Sequence, residues 1–347
     1  MSHSLERHLT RAGLVVPVRV DPSGVNGPTR GQARGPAWRR TSQGLYVPSS
    51  VVGDQVDQRI VEAAAVLPRF GGVTGWAGLG WLGGRWFDGL SSSGRPLDVD
   101  LATGGLHVRR QPGIAICEEK LDPRELITVD GLRVTTAVRS VCFAMRYAPS
   151  LREAVTVLEM AAYSDLVSID ELMAYALAHP AWTGIPQCRE AVPWCDENVW
   201  SPAESGMKWT WTVVAGRPRP LCNRPVFDLA GRHLGTPDLL DPVAGVFGQY
   251  DGSLHLAGRQ RATDLDKEAA LRSVGLEGAT MVAADRVNPS RFLFRLNLAY
   301  ERAACLAEGE RGWTIVAPPG WVSTETVAAR RRLDDRQRAR LLRYRAG

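Results

Sequence analysis

The chain has 347 residues, 44% of them apolar and 23% charged, with a formal net charge of +5. That length has room for two or three domains and an ample core, and the composition is that of an ordinary globular protein. No run of about 18 apolar residues exists, which excludes a membrane-spanning helix. The charged opening MSHSLERHLTRAG lacks the apolar stretch and cleavage site of a secretory leader, which predicts a cytoplasmic protein.

Six cysteines (Cys117, Cys142, Cys188, Cys195, Cys222 and Cys305) are scattered without C-x-x-C spacing or clustered histidines. That pattern argues against a zinc site or a disulfide framework and predicts reduced, mostly buried thiols. Charge is uneven along the chain. Residues 1–40 carry a local +5 and residues 330–347 a local +6, while the middle is near neutral. Two basic ends are the footprint expected of a polyanion ligand, and equally of two solvated tails.

In chain order, SLERHLTRAG predicts a short helix capped by Ser4, and LVVPVRV an edge strand because of Pro17. A short helix over Thr29–Arg34 is expected next, then a hairpin in which TSQG turns between AWRR and LYVP. Helix, helix, basic hairpin is the order of a small, degenerate winged helix. Residues 54–67 read as an amphipathic helix, and the Gly- and Trp-rich stretch 71–90 as closely packed core. PLDVDLAT, LHVRRQ, GIAICEE and LITVDGLRVTT alternate like strands, the last with an Asp130-Gly131 turn. Three helices follow (AVRSVCFAMRYA, SLREAVTVLEMAAYSDL and SIDELMAYALAH), and then a loop with a helical turn over 182–193.

From about residue 199 the pattern becomes α/β. SPAESGMKW starts a helix with Ser201 as N-cap and Glu204 at N3. PLCNRPVFD, HLGTPDLLD and VFGQYDG read as three strands, LDKEAALRSVGL as a helix and ATMVAADRV as a closing strand. TVAARRRLDDRQRARLLRYRAG reads as a loosely held basic helix. The expected segments are 1–53, winged-helix-like; 54–196, a mixed α/β middle; 197–300, a nuclease-like core; and 301–347, a basic extension. The fold class is thus α/β, α+β overall.

The order α–β–β–β–α–β, with an acid on the first helix and another at the middle strand, is the minimal core of restriction-type nucleases. Phosphodiester cleavage needs a divalent cation on hard oxygen ligands and a positioned water. Asp238 and an oxygen ligand on the neighbouring strand could hold Mg²⁺, with Glu204 as an outer ligand. Gln249 and Asp251 project to the same face of their strand. His255 could serve as general base. Bland readings stand beside these: Glu204 as a capping residue, Asp238 and Asp241 as strand-end acids, Asp251-Gly252 as a turn, and His255 as a surface histidine.

SPAES, NRPVFDLAGRHLGTPDLLDP, GQYDGSLH and the helix ending in LRSVGL, roughly 199–290, resemble the nuclease-like C-terminal domain of actinobacterial proteins of the AbiEi antitoxin type. That domain is itself similar to very-short-patch-repair endonucleases, and the likeness extends to GPTRGQARGPAWRRTSQGLYVP and TVDGLRVTTAVRSVCFAMR. The resemblance implies Asp238 as the metal-binding acid, Glu204 as the helix acid, Asp251 as the second acid and His255 as the histidine after the hairpin. It also implies a Glu where Gln249 stands; an amide brings no negative charge, so Mg²⁺ affinity should fall.

DNA is the expected partner. Arg30, Arg34, Trp38, Arg39 and Arg40 at the hairpin, and Arg330, Arg331 and Arg332 in the tail, are the candidate contacts. Trp38 reads equally as core. Three functions are open: a DNA-binding regulator or antitoxin-like defence protein with a weakened metal site, an active Mg²⁺-dependent endonuclease, and a module that neutralises a toxin protein.

Overall fold

The structure, a computed structural model, describes residues 9–91, 93–252, 267–306 and 311–345. The chain divides into two compact units, each assembled from two stretches. The first comprises Met1–Pro149 and Asp170–Arg189, the second Ser150–Ile169 and Glu190–Gly347.

In the first unit, β1 (Val18–Arg19), β2 (Trp38–Ser42) and β3 (Leu45–Pro48) form a sheet in the order β1-β3-β2, with β1 at an edge as expected. The hairpin turns at Gln43-Gly44, where Gly44 has φ +73°. The helix expected over Thr29–Arg34 shrinks to a single 3-10 turn, Gln32–Arg34. Four glycines and three prolines between Arg19 and Trp38 explain this, since neither residue sustains a helix interior. Gly27 packs its α-carbon so tightly on the Arg19 carbonyl that no Cβ would fit. Asp21 staples the loop through the backbone N–H groups of Ser23 and Asn26, which pull its carboxyl down to about 2.

A five-stranded sheet follows, built from β4 (Gly72–Val73), β5 (Val99–Ala102), β6 (Ile114–Cys117), β7 (Leu126–Val129) and β8 (Leu132–Thr135) in the order β6-β5-β4-β8-β7. LHVRRQ stays outside it. The β7–β8 hairpin turns at Asp130-Gly131, both with positive φ, as a two-residue primed turn requires. Helices α1 (Val56–Ala64), α2 (Gly75–Trp81) and α3 (Ala137–Arg146) pack in this unit. Trp81 is fully buried and donates its indole N–H to the Val129 carbonyl, and Trp76 and Phe87 are buried as well, whereas Trp86 is exposed.

α4 (Leu151–Tyr163) belongs to the second unit; α5 (Ile169–Ala178), bar its first residue, and most of α6 (Ile185–Ala191) return to the first. The second unit continues with α7 (Pro202–Trp209), β9 (Leu221–Cys222), β10 (Val226–Asp228), β11 (His233–Gly235), β12 (Leu239–Asp241) and β13 (Val246–Asp251). Then come α8 (267–273), β14 (Glu277–Val282), α9 (Ser290–Ala304), β15 (Trp313–Thr314), α10 (Val327–Arg331) and α11 (Asp335–Leu341).

Two of the expected strands are each broken in two. PLCNRPVFD breaks at Asn223, which sits at φ +45°, and at Pro225; HLGTPDLLD breaks at Thr236-Pro237. Proline cannot donate to a ladder, so the chain leaves one sheet there and joins another. β9, β12, β13 and β14 form a mixed sheet in the order β14-β13-β12-β9, with β12 antiparallel to both neighbours and β14 parallel to β13. β10, β11 and β15 form a separate three-stranded sheet. Val226, Leu240, Phe247, Leu271, Leu276 and Trp313 share one core cluster.

The C-terminal segment is not the loose basic helix the sequence reading expects. Arg330 is fully buried and donates to the Asp165 carboxylate at 2.6 Å and to the Ala162 and Thr324 carbonyls. Arg338 and Arg345 bind the same carboxylate. The arginine-rich tail is thus anchored by its own cations.

Candidate nuclease-like site

Glu204 lies in the first turn of α7 because Ser201 caps that helix and Pro202 opens it. Its carboxylate is buried and saturated: Oε1 accepts from Ser201 Oγ at 2.9 Å, and Oε2 from the Trp200 N–H at 2.9 Å and Asn223 Nδ2 at 2.7 Å. Burial raises its pKa, with those hydrogen bonds opposing. Both the capping reading and the helix-acid reading place Glu204 here, and its hydrogen bonds are those of a cap.

Asn223 joins the helix acid to the sheet. Its backbone N–H donates to the Asp238 carbonyl at 2.9 Å, and it exchanges side-chain to backbone bonds with Asn198. Asp238 immediately precedes β12. Leu239 pairs with Gly248, so the register sets Asp238 opposite Gln249. Gln249 Nε2 donates to Asp238 Oδ1 at 3.0 Å, and the Tyr250 N–H to Oδ2 at 2.6 Å. Asp251 ends β13, two residues on and on the Gln249 side of the strand.

The structure therefore brings Asp238 and Gln249 into contact, as the strand reading expects, and ties Glu204 to them through Asn223. Asp241 is a turn residue: it accepts from the Val243 and Ala244 N–H groups and from the Tyr300 hydroxyl. His255, with Arg259 and Arg261, lies outside the described residues.

Mg²⁺ requires oxygen ligands. Here both oxygens of Asp238 face N–H donors, Gln249 presents its NH₂ group rather than its oxygen, and both oxygens of Glu204 are taken. Among the described residues no group of three His, Cys, Asp or Glu is placed to hold a metal ion. The contacts of Asp238, Gln249 and Glu204 are those of a hydrogen-bonded clamp.

At the basic hairpin, Arg30, Arg34 and Arg40 are exposed, and Trp38 is half-buried. Arg39 is committed elsewhere, bound through both terminal nitrogens to Glu62 of α1. In the tail, Arg330 is enclosed and unavailable to a phosphate, Arg331 donates to the Asp165 and Leu166 carbonyls, and Arg332 is exposed. The sequence reading missed Asn198 and Asn223, which organise the site. An asparagine just before a proline-broken strand, in NRP, is the local signal for such a left-handed residue.

Comparison of the chain with protein-family models, curated proteins and solved structures found no match.

Proposed function

We propose that the protein is a DNA-binding regulator of the antitoxin type, whose second unit keeps a nuclease-like scaffold with its metal site disarmed. The observation that carries this reading is the clamp on Asp238, whose carboxylate is held by the Gln249 amide and the Tyr250 N–H. Two features support it. The order α7–β9–β12–β13–α8–β14 matches the α–β–β–β–α–β core of restriction-type nucleases once the β10–β11 hairpin is set aside as an insertion. On this reading the β1-β3-β2 sheet is the wing and the turn Gln32–Arg34 stands in place of a recognition helix.

On this reading DNA is met by exposed Arg30, Arg34 and Arg40 through phosphates, an affinity that is salt-dependent and tolerant of sequence. Arg34→Glu with Arg40→Glu is the test, since neither forms an ion pair among the described residues. Duplex affinity should fall, and the slope of log K against log salt should shrink by about 2. Unchanged affinity and slope in the double variant would overturn the reading. Co-purification of a stable second subunit, with no affinity for DNA, would favour a toxin-neutralising module instead.

The competing reading is a Mg²⁺-dependent endonuclease, favoured by Asp251 lying on the Gln249 side of β13. It requires cleavage with Mg²⁺ or Mn²⁺ that is lost in Asp238→Ala.

A further inference from the structure

Beside Asp238 the second unit carries a cleft of about 400 Å³, with Asn198, Asn223, Trp321, Arg340, Arg343 and Tyr344 in its lining. The mixture is unusual for a structural groove. Trp321 is 40% exposed yet fixed edge-to-face on Phe227, with ring centroids 4.8 Å apart. Tyr344 is stacked on Trp200 at 3.9 Å and 15°. Arg340 and Arg343 are exposed. Glu325, the carboxylate in the lining, is neutralised by Arg224. The cleft therefore combines a rigid aromatic surface with two cations.

Its polar groups are also incompletely used. Asn223 is 2% exposed, and its Oδ1 finds no hydrogen-bond partner among the described residues; nor does the buried Tyr344 hydroxyl. Both atoms are closed to solvent, so they lie behind the cleft wall, and the contacts open to a ligand are those of the exposed side chains. Asn223 is the residue whose N–H binds the Asp238 carbonyl, so the cleft shares its wall with the clamp.

We infer that this cleft binds a nucleoside phosphate, with its base against Trp321 and its phosphate on Arg340 and Arg343. Aromatic side chains stack any base through its π-face, and arginine grips phosphate through paired N–H donors. A simple anion has no use for the indole, and a purely apolar ligand none for the two guanidinium groups. The site lies wholly within the second unit and goes beyond the DNA-binding role of the hairpin. Failure of the Arg34/Arg40 test would leave it standing.

The test is titration calorimetry of the full chain with the four deoxynucleoside monophosphates, with inorganic phosphate and deoxyadenosine as controls. A monophosphate should bind more tightly than either control. Trp321→Ala and, separately, Arg340→Ala with Arg343→Ala should each weaken it about tenfold. All three side chains are partly or largely exposed, and an unchanged melting temperature in the double arginine variant verifies the fold. A single-stranded oligonucleotide that competes with the monophosphate identifies a base within a strand as the ligand; one that does not identifies a free nucleotide. Phosphate binding as tightly as nucleotide, absence of binding, or indifference to both variants overturns the inference.

Discussion

Gln249 stands where the resemblance calls for a Glu, and its amide gives Asp238 the donor that a carboxylate could not. A hydrogen bond to a charged acceptor is worth about 1.5–3 kcal/mol net. Gln249→Glu deletes it and sets two carboxylates against each other, so the variant should lose about 1–3 kcal/mol at pH 7. Millimolar Mg²⁺ or Mn²⁺ should restore its melting temperature while leaving the wild type unmoved. Equal melting temperatures without metal would show that the clamp contributes nothing. Asp100 in the first unit gives a second handle at this scale. Burial pushes its carboxyl from 3.8 up to about 7, with the Asp98 charge adding and the Trp76 N–H opposing. Between those values the folded state keeps a proton that the unfolded chain has released, so stability falls as pH rises through the window. Asp100→Asn should be indistinguishable from wild type near pH 4 and more stable by about 1–2 kcal/mol at pH 8, after allowance for partial exposure. Urea midpoints at the two pH values measure the difference.

Helix α4 ends in a way that explains the tail. The Leu166 N–H reaches back to the Ala161 carbonyl and the Asp165 N–H to that of Ala162, a Schellman cap with Asp165 in the left-handed position at φ +57°. Glycine is the usual residue there. An aspartate is retained at some backbone cost, and its carboxylate serves Arg330, Arg338 and Arg345. Asp165→Asn leaves the buried Arg330 without a counter-charge, which should cost about 3–5 kcal/mol. Trypsin should then cut the α10–α11 segment in the native state, and resistance equal to wild type would refute this account. The α4 helix was legible in SLREAVTVLEMAAYSDL, but nothing local in SDLV distinguishes Asp165 from an ordinary surface acid. The same limit governs the sheets. Alternation located β12 and β13, hence the Asp238–Gln249 contact, because register follows from the pattern on one face. That PLCNRPVFD and HLGTPDLLD each serve two sheets depends on where the chain returns after Pro225 and Pro237, which is a tertiary matter. Gly278 belongs with these: a Cβ there would collide with the Phe247 ring across the β13–β14 pair, yet the sequence offers only a glycine within a strand.

Across the whole molecule, the two units are interleaved, not consecutive. Within the second unit, Lys208 of α7 and Glu159 of α4 form a fully enclosed ion pair, and Thr156 meets Ser205 at 2.9 Å. A fragment starting at residue 197 would leave Lys208 buried and unpaired, at about 3–5 kcal/mol. It should therefore be insoluble or molten, whereas residues 150–347 should unfold in one cooperative step by circular dichroism. In the first unit, Tyr175 reaches Glu125 and Gln187 caps the Met145 and Ala148 carbonyls at the end of α3, so residues 1–149 alone should be similarly incomplete. The interleaving also sets an order in time. On the ribosome, α4 emerges about 50 residues ahead of α7, and at roughly 5–20 residues per second it waits several seconds for its partner. During that interval the first unit is itself unfinished, because α5 and α6 are made after α4. Each unit thus waits on a segment made after the other has begun, and slowing translation between codons 150 and 208 should raise aggregation.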